Sequence, residues 1–144
     1  MLLAVNVGNT NTVLGVFRGP ELEHQWRLST ETERTADELA VLFAGLLDQT
    51  GLSFSNEITG VVISSVVPGS TTALRDMVTR YFNFPAVVVE PGTRTGLSIQ
   101  TDNPREVGAD RIVNALAAFS TTVPPGARYS VRRAFAATYA SIVP

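Results

Sequence analysis

Residues 2–17 read LLAVNVGNTNTVLGVF. Two stretches rich in β-branched and apolar residues, Leu2–Val7 and Thr12–Phe17, enclose the polar segment Gly8-Asn9-Thr10-Asn11. Such a pattern predicts two strands joined by a turn, hence a hairpin. Asn6 interrupts the first strand with a polar side chain just ahead of the turn. A turn of small polar residues after a buried strand exposes backbone N–H groups, and concavities of that kind hold phosphate oxygens. Gly and Asn are also favoured in plain hairpin turns. The local chemistry leaves both readings open.

Working outward, Gly19-Pro20 marks the next turn, and Leu22–Leu28 predicts a third strand with His24 and Trp26 on one face. Thr35-Ala36-Asp37-Glu38 has the form of a capping box. Behind it Ala36, Leu39, Phe43, Leu46 and Leu47 recur at helical spacing, and Gly51 suits the helix end. Residues 58–67 hold a run of β-branched residues suited to a central strand covered on both faces. Pro68-Gly69 breaks that strand, and Leu74, Met77, Val78 and Tyr81 predict a second amphipathic helix. Ala86–Val89 reads as a short strand. Asn103-Pro104-Arg105-Glu106 is a strong helix start, and that helix is expected to reach Phe119. The order β-β-β-α-β-α-β-α predicts an α/β fold with a mixed sheet and helices packed on it.

The 144 residues suffice for one domain with a real core. A net charge of −2 gives no electrostatic case for nucleic acid or an anionic membrane. With no cysteine and one histidine, disulfides are excluded and a zinc site is disfavoured. No apolar run approaches the roughly 20 residues needed to span a bilayer, so a cytoplasmic protein is expected.

A second candidate for chemistry is Asp110-Arg111. A carboxylate at a pocket edge accepts a proton from a substrate hydroxyl, and a guanidinium holds an anion. Adjacent Asp and Arg on a helix are also commonly just solvated charges. Gly92–Gly96 has the composition of a substrate loop or of any loop, and His24 reads as a strand residue. Ser64-Ser65 ends a central strand, where ligand sites often lie and where packing or turn roles are equally common.

Together VGNTNTVLGVF, Trp26-Arg27 followed by TADEL, SSVVP, PGTRTGL and NPREVGADRIVNALAAF resemble the type III pantothenate kinases, in family order, over residues 1 to about 119. The resemblance implies a ribonuclease-H-like domain of the actin-like ATPase superfamily. It implies ATP-dependent phosphorylation of pantothenate to 4'-phosphopantothenate, the first step of coenzyme A synthesis, with Mg²⁺ and a monovalent cation (K⁺ or NH4⁺), in a homodimer. The family's phosphate-binding turn maps onto Asn6, Val7, Gly8, Asn9, Thr10, Asn11, Thr12 and Val13. Its pantothenate-binding segment maps onto Gly108, Ala109, Asp110 and Arg111, with Asp110 as the proton acceptor, and Thr101 falls where many members place a substrate-contacting tyrosine.

Three departures stand out. Asn6 replaces the family's aspartate, which removes a negative charge from the metal–phosphate end of the site. Thr101 replaces the tyrosine. Residues 120–144 match nothing of the family's DFGTATT-like motif, which carries the monovalent-cation aspartate. The expected organisation is a kinase domain at 1–119 and an atypical tail at 120–144, truncated or frameshifted, with the isolated chain inactive. The alternatives are a non-catalytic binding or regulatory module of the same family, and one lobe of a split kinase.

Overall fold

The computed structural model describes residues 1–19, 21–54, 56–82 and 84–89. The elements are β1 (Leu2–Val7), β2 (Asn11–Arg18), β3 (Glu21–Ser29), α1 (Ala36–Asp48), β4 (Gly60–Ser65), α2 (Pro68–Tyr81) and β5 (Val87–Val89). The sheet order is β3-β2-β1-β4-β5. The first three strands form an antiparallel meander, while β4 and β5 run parallel to β1. The sheet is therefore mixed, and the first seven expected elements occur in the expected order. The expected helix at 103–119, the loop at 91–96 and the tail at 120–144 lie outside the described residues.

Strand lengths follow from their partners. The six residues of β1 pair one for one with Gly60–Ser65, so β4 ends there rather than covering 58–67. Ile58 is buried but precedes the strand. After Ser65 the chain turns: the Ser65 hydroxyl donates to the Val67 carbonyl and accepts from the Val67 N–H, both at 3.0 Å. Pro68 then opens α2 at its first turn, where a missing N–H costs nothing.

Alternation along the strands divides the sheet into two faces. Leu3, Val5, Val7, Leu14, Val16, Val61 and Ile63 join Phe43, Leu47, Leu74, Met77 and Val78 in one core under α1 and α2. Leu2, Ala4, Phe17, Val62 and Ser64 are buried on the other face. Burial on both faces explains the near-continuous apolar runs of β1 and β4. On β3, exposed residues alternate with half-buried ones, and His24 stacks on Trp26 with ring centroids 5.8 Å apart.

Thr35 caps α1 through a complete capping box: the Glu38 N–H donates to Thr35 Oγ1, and the Thr35 N–H donates to Glu38 Oε2 at 2.8 Å. At the other end, the Gly51 N–H reaches the Asp48 carbonyl and the Leu52 N–H reaches the Leu47 carbonyl, with Gly51 at φ +75°. Asp37 in the first turn of α1 accepts from Arg80 in the last turn of α2 and from the Tyr81 hydroxyl at 2.8 Å. Each charge suits its helix end. Tyr81 thus departs from its expected place on the apolar face of α2. The residue is 44% exposed and its hydroxyl serves Asp37.

Candidate phosphate-binding turn

Parallel pairing brings the carboxyl ends of β1 and β4 together, with Asn6 beside Ser64 and Val7 beside Ser65. The Val66 N–H donates to the Val7 carbonyl at 3.1 Å and extends this contact past the strand ends. The turn at 8–10 therefore sits at the end of the sheet where α2 begins. No side chain caps the start of α2, so the positive end of its dipole opens there. Ser65, Pro68, Thr71, Thr72 and Arg75 line a groove along that helix start.

Inside the turn, the Gly8 N–H donates to the Asn11 carbonyl at 2.9 Å. A Cβ on Gly8 would stand 3.2 Å from that same carbonyl oxygen, so a side chain there would force the turn open. Asn9, Thr10 and Asn11 are exposed, and residues 6–13 carry no charge. The surface they offer consists of backbone N–H groups, amides and hydroxyls.

Thr30, just past β3, holds the turn from behind. Its N–H donates to the Thr10 carbonyl at 2.9 Å, and its hydroxyl donates to the Gly8 carbonyl at 2.8 Å. Thr12 Oγ1 lies 2.9 Å from Thr30 Oγ1. Sequence reasoning missed Thr30. One threonine in the polar run Ser-Thr-Glu-Thr gives no local signal, because the contact depends on the β2–β3 register.

Of the residues expected in the site, the structure brings Asn6 to Val13 together. Val7 is buried among the core side chains, and Thr12 points to Thr30. Asn6 is half-buried on the face away from α1 and α2, flanked by Val13 and Ser64. Ser64 is 1% exposed, and its Oγ has no hydrogen-bond partner. His24 is spent on its stack with Trp26. Thr101, Gly108, Ala109, Asp110 and Arg111 lie outside the described residues.

Among the described residues no group of three or more His, Cys, Asp or Glu side chains converges to hold a metal ion. Asn6 offers a neutral amide where a divalent cation would favour a carboxylate. No helix among the described residues is long and apolar enough to cross a membrane.

The type III pantothenate kinase family matches residues 2–141. That match runs past residue 119, where the resemblance read from the sequence stops. A type III pantothenate kinase from Geobacillus sp. (strain WCH70) is 54% identical over 117 residues, covering 81% of this chain and 45% of the relative. One from Frankia casuarinae is 56% identical over 119 residues, covering 82% and 45%. One from Halalkalibacterium halodurans is 52% identical over 118 residues, covering 82% and 46%. The chain thus spans about half the length of the curated relatives it matches. A Thermus thermophilus RuvC structure aligns with a TM-score of 0.41 and 14% identity, over 99% of this chain and 96% of that one. The extent of the family match and the identity to curated relatives establish that this chain belongs to the type III pantothenate kinase family.

Proposed function

We propose that residues 1–119 form the phosphate-binding lobe of an ATP-dependent pantothenate kinase, a ribonuclease-H-like domain of the actin-like ATPase superfamily. The observation that carries this reading is the neutral, glycine-led turn at the joined carboxyl ends of β1 and β4, in a chain of this family. Phosphoryl transfer depends on positioning and charge stabilisation more than on covalent chemistry. In this reading Asn6–Val13 takes the ATP phosphates. Asp110 accepts the proton of the pantothenate hydroxyl, Arg111 steadies the anion, and Gly108, Ala109 and Thr101 line the substrate pocket. The family resemblance supports these assignments, together with a homodimer in the cytoplasm and a monovalent cation, K⁺ or NH4⁺. The resemblance also implies Mg²⁺, to which Asn6 would offer an amide oxygen in place of a carboxylate, and no step is routed through it.

Titration calorimetry with ATP tests the turn. Binding by the chain that is lost in Gly8→Val supports it, whereas equal binding by both proteins would place the nucleotide elsewhere.

Asn6 favours a second reading, a non-catalytic binding module of the same family. Catalysis by a full-length protein that retains Asn6 would exclude it.

A further inference from the structure

Three hydrogen bonds converge on Thr30, and all lead back to the turn: to the carbonyls of Gly8 and Thr10 and to the hydroxyl of Thr12. The Thr30 hydroxyl has one proton, and Gly8 takes it. Thr12 must then be the donor in the Thr12–Thr30 contact, which makes a directed chain from Thr12 through Thr30 to Gly8. Hydrogen bonds in such a chain polarise and strengthen one another.

The effect on the turn follows from the peptide group. Every described peptide bond is trans. In a trans peptide the C=O and the N–H lie in one plane and point in opposite directions. Drawing the Gly8 carbonyl toward Thr30 therefore aims the Asn9 N–H away from it. Drawing the Thr10 carbonyl toward Thr30 turns the Asn11 N–H the other way, toward β1, on the side where the Asn11 carbonyl meets the Gly8 N–H. The usual closing bond of a four-residue turn would join the Asn11 N–H to the Gly8 carbonyl. That carbonyl accepts from the Thr30 hydroxyl.

We infer that Thr30 is a positioning residue, which fixes the Gly8–Asn9 peptide plane so that the Asn9 N–H faces away from β2 and β3 as a preset donor for a phosphate oxygen. This rests on the phosphate-binding reading of the turn and adds the element that prepares it. Thr30 itself touches no ligand. Its contribution is preorganisation: donors already aimed need no rearrangement when the anion arrives.

The test is an amide NMR titration of the whole chain with sodium tripolyphosphate, on wild type, Thr30→Ser, Thr30→Val and Thr12→Val. In wild type the Asn9 amide signal is expected to move on titration. Thr30→Ser keeps the hydroxyl and is expected to bind as wild type does. Thr30→Val keeps the branched shape and loses the hydroxyl, and is expected to bind about tenfold more weakly, the effect of one lost hydrogen bond. Its Asn9 amide is expected to shift even without ligand. Thr12→Val leaves the Thr30–Gly8 bond in place and is expected to weaken binding less than Thr30→Val. It also carries the comparison with wild type if Thr30→Val fails to fold, and affinity equal to wild type would then count against the chain. Thr30→Val binding as tightly as wild type, with wild-type titration intact, would overturn the role of Thr30 and leave the phosphate reading standing. No movement of the turn amides in wild type would overturn the phosphate reading, and this inference with it.

Discussion

Asn6 and Ser64 stand side by side on the parallel strands β1 and β4, on the sheet face turned away from α1 and α2. Between them they place an amide and an unpaired hydroxyl at the end of the sheet where the turn lies. A buried hydroxyl without a partner lowers stability by about 1–3 kcal/mol relative to a satisfied one. Ser64→Ala is therefore expected to leave stability unchanged or raise it by up to about 1 kcal/mol. Urea unfolding of the two proteins checks this. A loss above about 1 kcal/mol would mean that the hydroxyl is engaged after all.

Asn6→Asp puts a carboxylate on a half-buried, uncharged surface. Desolvation disfavours the charged form there. The variant is expected to unfold at lower temperature than wild type in metal-free buffer, and to recover when MgCl₂ is added, through preferential binding to the folded state. Wild type is expected to show no such recovery. Scanning calorimetry with and without MgCl₂ separates these outcomes, and equal Mg²⁺ response in both proteins would contradict the reading of Asn6.

Gly8→Ala brings a Cβ to 3.2 Å from the Asn11 carbonyl, which belongs to the backbone and yields little. A destabilisation of about 1–2 kcal/mol is expected, as for other overpacked sites. Tripolyphosphate affinity is expected to fall with it. Unaltered affinity would show that the closed form of the turn is not what the anion needs.

The capping box gives a pH-dependent prediction. The Thr35 backbone N–H, and secondly its hydroxyl, hold the Glu38 carboxyl below its ordinary value of 4.5. A depressed carboxylate adds stability that is fully present above 4.5 and is lost as the pH falls through the lowered value. The difference in thermal midpoint between wild type and Glu38→Gln is expected to be constant near neutrality and to shrink below pH 4.5. Thr35→Ala removes the other half of the box and is expected to cost about 1 kcal/mol.

Phe43 is 1% exposed, at the centre of the core beneath α1 and α2. Phe43→Ala is expected to cost about 3–5 kcal/mol, a large part of the stability of a small domain. Circular dichroism would show the unfolding transition moved far down in temperature. A shift of only a few degrees would mean that the neighbouring side chains close the cavity.

Much of this architecture was legible because local rules and tertiary structure agree. The capping box at Thr35 and the apolar spacing after it mark α1, and Gly51 marks its end. The β-branched runs around Gly8–Asn11 mark the hairpin. What escaped is what depends on register. Ile58 reads as part of β4, but β1 has no residue left to pair with it. Tyr81 has the spacing of a core residue, and spacing does not reveal that Asp37 lies within reach of its hydroxyl. Asn6 and the glycine turn carry their own signal as a polar break in apolar sequence. Thr30 carries none, since its meaning comes from three strands laid side by side.

That arrangement bears on the order in which the chain takes shape. The turn, Thr12 and Thr30 all belong to the antiparallel meander, whose strands follow one another with short connections. Adding β4 requires Leu2 to find Gly60 across the intervening helix. Contacts close in sequence form sooner than distant ones, because less chain entropy is lost in closing them. The turn thus takes its shape from the early-forming part of the molecule, and β4 arrives to find it already set.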